Sequence, residues 1–132
     1  LESQFAFKMK WLRLFYTYGN GQNENSIFSQ LDRAIINNDK VFNMSGGEQL
    51  RDYLPVEKVA EIIVKTSMQN ETTGIINCCS GKPVSVKKLV EDYLIENNYS
   101  ISLNLGYYPY NDYEPFAFWG TTEKLNKILE QE

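Results

Sequence analysis

The chain has 132 residues, of which 42% are hydrophobic and 23% charged, with a formal net charge of −4. That is enough for one modest core and too apolar for wholesale disorder, and thirteen scattered basic residues in an acidic chain argue against a nucleic-acid partner. With no histidine, and with cysteines only at Cys78 and Cys79, a zinc site and a Ser-His or Cys-His triad are excluded within it.

Lys10–Tyr18 reads as a buried, aromatic-rich strand ended by Gly19-Asn20-Gly21, and residues 1–8 as the end of a preceding helix. Ser26 is placed to cap a helix running to about Asn37, with Ile27, Leu31, Ala34 and Ile35 near helical spacing. Val41–Met44 is a short strand and Asp52–Leu54 a short extended piece. Pro55 stands where a helix can begin, and Val56, Val59, Ala60, Ile63 and Val64 give that helix an apolar stripe. Gly74–Cys78 is the next strand, and Ser85 caps a helix burying Val86, Leu89, Val90, Tyr93 and Leu94. Ile101–Leu105 is a strand, Tyr107–Trp119 an aromatic loop, and Thr121 or Thr122 opens a last helix to about Leu129. Strands and helices mixed in this order indicate an α/β fold.

Nine tyrosines point to an amphipathic pocket or to a surface meant to be covered. Neighbouring residues on a strand face opposite ways, so Cys78 and Cys79 do not pair with each other, and two free thiols point to a reducing cytoplasm. No apolar run nears the length of a membrane span and no signal-peptide pattern is present. A start at Leu1 rather than Met points to a fragment.

Gly46-Gly47 followed by Arg51-Asp52 is the most informative stretch. Glycines let backbone approach a ligand closely, and a guanidinium offers a planar fork matched to phosphate oxygens. Taken alone, a surface turn followed by an Arg–Asp ion pair explains the stretch equally well.

Three segments taken together are more specific. They are Trp11-Leu12-Arg13-Leu14-Phe15-Tyr16-Thr17-Tyr18-Gly19-Asn20-Gly21-Gln22, then Gly47-x-x-x-Arg51-Asp52, then Asn77-x-x-Ser80-Gly81-x-Pro83. In this order they resemble the C-terminal part of the extended short-chain dehydrogenase/reductase family, the NAD(P)-dependent sugar-nucleotide epimerases, dehydratases and reductases. The resemblance runs from Lys10 to Leu129. It implies the C-terminal portion of an extended Rossmann-type enzyme, with residues 1–22 ending the nucleotide-binding domain and contributing a strand of its parallel sheet. Residues 23–132 would form a small mixed α/β substrate-binding domain.

No Gly-x-x-Gly-x-x-Gly turn follows a strand, and no Tyr-x-x-x-Lys occurs. The chain is thus expected to contain no catalytic residue and to be inactive alone, with NAD or NADP held mainly by an N-terminal part outside it. The implied ligand is a nucleoside-diphosphate sugar, with no nucleic-acid or membrane partner and a homo-oligomer as the assembly to test. By resemblance, Arg51 would clamp the diphosphate with Asp52 orienting it, while Tyr16, Gln22 and Ser26 would face the pocket. Phe42 would stack on the base and Asn43 bond its edge, although a plain core strand fits Val41–Met44 as well, and a helix cap explains Ser26.

Arg13 lies between two leucines, so its charge needs a partner, and a structural role is favoured. Asn77, Ser80 and Gly81 are expected to be structural. Departures from the family pattern occur at Tyr16, where an Asn is usual, at Asn20, where a Pro is usual, and at Asn111, where a phosphate-reaching Arg is usual. Phosphate binding would then lean on Arg51 alone, on Lys82, or on a residue outside the chain. These departures keep open a non-catalytic sugar-nucleotide-binding protein or a scaffold that retains the fold.

Overall fold

The computed structural model describes residues 7–130. In chain order the elements begin with β1 (Lys10–Leu14), β2 (Tyr16–Tyr18), α1 (Ile27–Ile36) and β3 (Val41–Asn43). They continue with β4 (Leu50–Arg51), β5 (Tyr53–Pro55), α2 (Val56–Met68) and β6 (Gly74–Cys78). The last are β7 (Val84–Ser85), α3 (Val86–Glu96), β8 (Ser102–Asn104), β9 (Ala117–Phe118) and α4 (Glu123–Leu129). The expected mixed α/β fold is what forms, with parallel pairing throughout except between β4 and β7. The expected helix over residues 1–8 lies outside the described residues, apart from Phe7 and Lys8, which are not helical.

Two compact units are built from interleaved segments. Unit 1 takes the described residues up to Gly19, Asp52–Lys82 and those from Trp119 on. Its β1 and β6 lie parallel with Leu12 opposite Ile76 and Leu14 opposite Cys78. Ile76 and Cys78 pack with Leu54, with Val59 and Ile62 of α2, and with Leu125 and Ile128 of α4 into one core against which Leu12 also rests. β2 pairs with β5 in register, Tyr16 opposite Tyr53.

Two expectations fail here. The strand expected to run unbroken and buried from Lys10 to Tyr18 is interrupted at Phe15, and Trp11, Arg13, Leu14 and Tyr16 are exposed. Apolar residues on both faces signal a strand buried twice over, yet within the described residues only the Leu12 face is covered. Arg13 is therefore solvated and its charge needs no buried partner. On α2 the buried stripe is Val59, Ile62 and Thr66, while Val56, Ala60, Ile63 and Val64 are exposed. The helix carries two adjacent apolar stripes, and periodicity alone does not say which one meets its own core.

Unit 2 takes Asn20–Arg51 and Pro83–Phe118. Its core joins Leu31 and Ala34 of α1, Phe42 and Met44, and Val90 and Leu94 of α3. β3 and β8 pair in parallel, and β4 lies between β7 and β9. Ser26 and Ser85 cap α1 and α3 as expected, each hydroxyl accepting the backbone N–H three residues on. Thr122 stands at the start of α4 but its hydroxyl makes no capping bond. Among the described residues no helix is long and apolar enough to cross a membrane.

Candidate functional site

β3 ends at Asn43, and the chain then runs through Met44 and Ser45 to the two glycines before β4. Gly47 adopts φ +77°, and a Cβ there would stand 2.7 Å from Cβ and 3.0 Å from the backbone N of Lys87. What this glycine admits is the first turn of α3, whose Lys87 N–H donates to Gly47 O at 2.9 Å. The segment after β8 returns across the same region, with the Tyr107 N–H donating to Met44 O at 3.0 Å. Farther on, the Tyr110 hydroxyl donates to the Glu48 carboxylate and accepts the Glu48 backbone N–H. That carboxylate is held below its ordinary pKa chiefly by the phenol, and the phenol is raised by burial and by the same bond.

Between β3, the start of α1 and this aromatic loop lies a cleft of about 270 Å³. Asn25, Gln30, Asn43, Gln49 and Asn111 give it five carboxamides, and Phe42, Tyr108 and Tyr110 give it aromatic surface. Glu114 supplies a carboxylate, and no lysine or arginine is among the lining residues. Carboxamides offer both donors and acceptors, so the wall suits uncharged polar edges such as a base or sugar hydroxyls.

Of the residues singled out in the sequence, Phe42, Asn43 and Asn111 come together in this cleft. The Phe42 ring is also a member of the unit 2 core, so only part of it faces the opening. Asn43 Oδ1 accepts from Asn104 Nδ2 across the β3–β8 pair at 2.9 Å. Ser26 is not a lining residue; its hydroxyl bonds Ser29. Gln22 is half-buried, and its Oε1 has no hydrogen-bond partner among the described residues. Tyr16 belongs to unit 1, its ring centroid 5.2 Å from that of Tyr53. Lys82 is exposed in the same unit.

Arg51 is 3% exposed. Its Nη1 donates to the carbonyls of Leu50 at 2.9 Å and Phe116 at 3.2 Å, and Nη2 meets Glu114 Oε2 at 3.4 Å. Asp52, fully buried, accepts the backbone N–H groups of Ser80 at 2.7 Å and Gly81 at 2.8 Å. The adjacent Cys79 thiol is pushed up to about 11 by burial and by the Asp52 charge, so it stays protonated and unreactive at neutral pH. Asn77 Nδ2 donates to Thr121 O at 3.2 Å. Sequence reasoning missed Glu114, Gln30 and Gln49. Glutamine and glutamate on a surface carry no pattern of their own, and only the fold gathers them.

The family model for the NAD dependent epimerase/dehydratase family matches residues 1–79. A curated relative, the dTDP-6-deoxy-L-talose 4-dehydrogenase (NAD(+)) of Aggregatibacter actinomycetemcomitans, is 33% identical over 112 residues, 85% of this chain and 41% of the relative. Among solved structures, the UDP-N-acetylglucosamine 4-epimerase from Methanobrevibacter ruminantium M1, in complex with UDP-N-acetylmuramic acid, superposes with a TM-score of 0.80 at 23% identity, over 96% of this chain and 41% of that one. RMD from Pseudomonas aeruginosa, complexed with NADPH, gives 0.75 at 16% identity, over 93% and 42%. The fold is thus that of part of these Rossmann-type enzymes, and the chain spans about two fifths of their length.

Proposed function

The chain belongs to the NAD dependent epimerase/dehydratase family, and from that premise we propose that it is the substrate-binding portion of an NAD(P)-dependent sugar-nucleotide enzyme. The observation that carries this reading is the cleft of unit 2. Carboxamides and aromatic rings line it, and Glu114, at its wall, touches the guanidinium of Arg51. A nucleoside-diphosphate sugar has matching parts: a flat base and hydroxyl-rich rings for the lining, and a diphosphate for a buried cation. Phe42 and Asn43 would meet the uncharged part, Asn111 would stand at the wall, and Arg51 would take a phosphate oxygen. Tyr16, Gln22 and Ser26 do not line this cleft, and a contact from them to the ligand rests on the resemblance alone. The boundaries proposed are residues 1–22 for the end of the nucleotide-binding domain and 23–132 for the substrate-binding domain.

The nicotinamide cofactor would supply hydride transfer at a sugar carbon, the step with which epimerisation, dehydration or reduction begins or ends. The described residues do not fit its pyrophosphate: α1, α2, α3 and α4 begin after Ser26, Pro55, Ser85 and Thr122, and none opens from a glycine-rich turn. In this reading the cofactor and the catalytic acid/base are held elsewhere in a cytoplasmic protein, and this part supplies orientation and specificity. A non-catalytic sugar-nucleotide binder or scaffold is the alternative, favoured by the departures from the family pattern at Tyr16, Asn20 and Asn111. A hydride-transfer assay on the natural full chain separates the two.

Calorimetric titration of the natural full chain with UDP-, dTDP-, GDP- and CDP-sugars tests binding. One nucleotide class should bind, and Arg51→Ala should weaken it by about 1.5–3 kcal/mol, the range for a hydrogen bond to a charged group. Arg51→Lys, which keeps the charge but not the fork, should fall between. Folded protein that binds none of the four overturns the reading.

A further inference from the structure

Glu114 is shared between two features of unit 2, the carboxamide cleft it lines and the guanidinium of Arg51 it pairs with. Three of the contacts on that guanidinium differ in kind. Those on Nη1 go to the carbonyls of Leu50 and Phe116, backbone groups of the parallel β4 and β9 region that also exchange the Leu50 N–H to Phe116 O bond at 2.9 Å. They fix the plane of the fork to the sheet. The contact on Nη2 is the longest, 3.4 Å, and comes from a side chain that is itself 41% exposed. A carboxylate so exposed moves by rotating its own torsions and leaves the sheet intact.

The loop that carries Glu114 is anchored independently of this pair. Tyr107 N–H is bonded to Met44 O, Tyr110 to Glu48, and Glu114 N–H to Asn111 O at 3.2 Å. Glu114 can therefore leave Arg51 while its backbone stays in place.

The cleft lining includes the Glu114 carboxylate and no lysine or arginine, and the guanidinium paired with that carboxylate is itself buried. Two anions on one Nη2 repel strongly at such short range. We propose that Glu114 is a positioning residue that occupies Arg51 as an intramolecular competitor, so that the diphosphate of the ligand binds by displacing it. This rests on the sugar-nucleotide reading above and deepens it. The carboxylate holds the fork in place before the ligand arrives, and because it is tethered it competes at high effective concentration. The cost falls on the charged part of the ligand alone. A nucleoside, which reaches the same cleft without phosphates, does not have to move Glu114.

The test measures affinities of the natural full chain, Glu114→Gln and Glu114→Asp for UDP and dTDP, each beside its own nucleoside, with cooperative melting as the check on folding. The neutral isostere should bind the diphosphate that the parent prefers about three- to tenfold more tightly, the scale of one ion pair removed from competition. The matching nucleoside should gain less than the diphosphate, so that the diphosphate-to-nucleoside ratio rises. Glu114→Asp, whose carboxylate falls one methylene short of the guanidinium, should lie between the parent and the neutral isostere. A purely structural role for the pair would leave the diphosphate-to-nucleoside ratio where it was, or weaken both together, and either result overturns the inference while the sugar-nucleotide reading stands. If none of the three folded proteins binds a diphosphate, that reading fails and this inference with it.

Discussion

Arg51 and Asp52 are neighbours in sequence whose side chains face different tasks. The arginine is tied to carbonyls and to Glu114, while both carboxylate oxygens of the aspartate are taken by the amides that open the Ser80-Gly81 turn. The sequence made this dipeptide visible and left its division of labour hidden, because the partners lie far along the chain at Ser80 and Phe116. A carboxylate with no exposed surface is stable only when its lone pairs are met. Asp52→Ala leaves two amide donors unmet in a buried place, and it should destabilise the fold by about 2–4 kcal/mol. Asp52→Asn keeps one acceptor and should cost less than Asp52→Ala in chemical denaturation. Equal losses, or a loss under 1 kcal/mol for the alanine, would contradict this account of the buried carboxylate.

Elements defined by local chemistry were the most legible. Ser26 and Ser85 start helices where a serine precedes an apolar period, and Gly74–Cys78 forms the strand its β-branched run implies. Less legible were β7 and β9, two residues each, which exist only because β4 offers both edges to them. The ends of α1 and α3 hold a repeated device that sequence inspection passed over. Asn38 has φ 57° and Asn98 has φ 54°. After Asn38, the Asp39 N–H reaches Ala34 O, and after Asn98 the Tyr99 N–H reaches Leu94 O, each closing the last turn of its helix. Asparagine tolerates this left-handed backbone, but glycine enters it without a steric penalty. Asn38→Gly and Asn98→Gly should each raise stability by roughly 0.5–1 kcal/mol, and the alanine variants should lower it. Thermal melts of the four variants decide the matter, and a glycine that destabilises as much as alanine would show that the asparagine side chains, and not the backbone angle, matter.

At the scale of the whole chain, the mismatch between apolar pattern and burial in unit 1 has a consequence. Trp11 and Ile75 sit opposite each other in the β1–β6 register and are 61% and 50% exposed, on the face away from Leu12 and Ile76. Ile63 and Val64 on α2 are exposed as well. Within the described residues β1 pairs with β6 alone, so its other edge presents unpaired backbone groups. An apolar face beside an open strand edge is what soluble monomers avoid. These 132 residues expressed by themselves should therefore associate as concentration rises and unfold at modest denaturant. Replacing Trp11 with Lys and Ile75 with Thr should shift the sample toward monomer, because both changes touch the exposed face and leave the Leu12–Ile76 side intact. Light scattering over a dilution series, with and without the double substitution, makes the comparison. A parent chain that is monomeric at every concentration and melts cooperatively would show that the exposed face is tolerated, and that the core of Leu54, Val59, Ile62, Ile76 and their neighbours is sufficient without it.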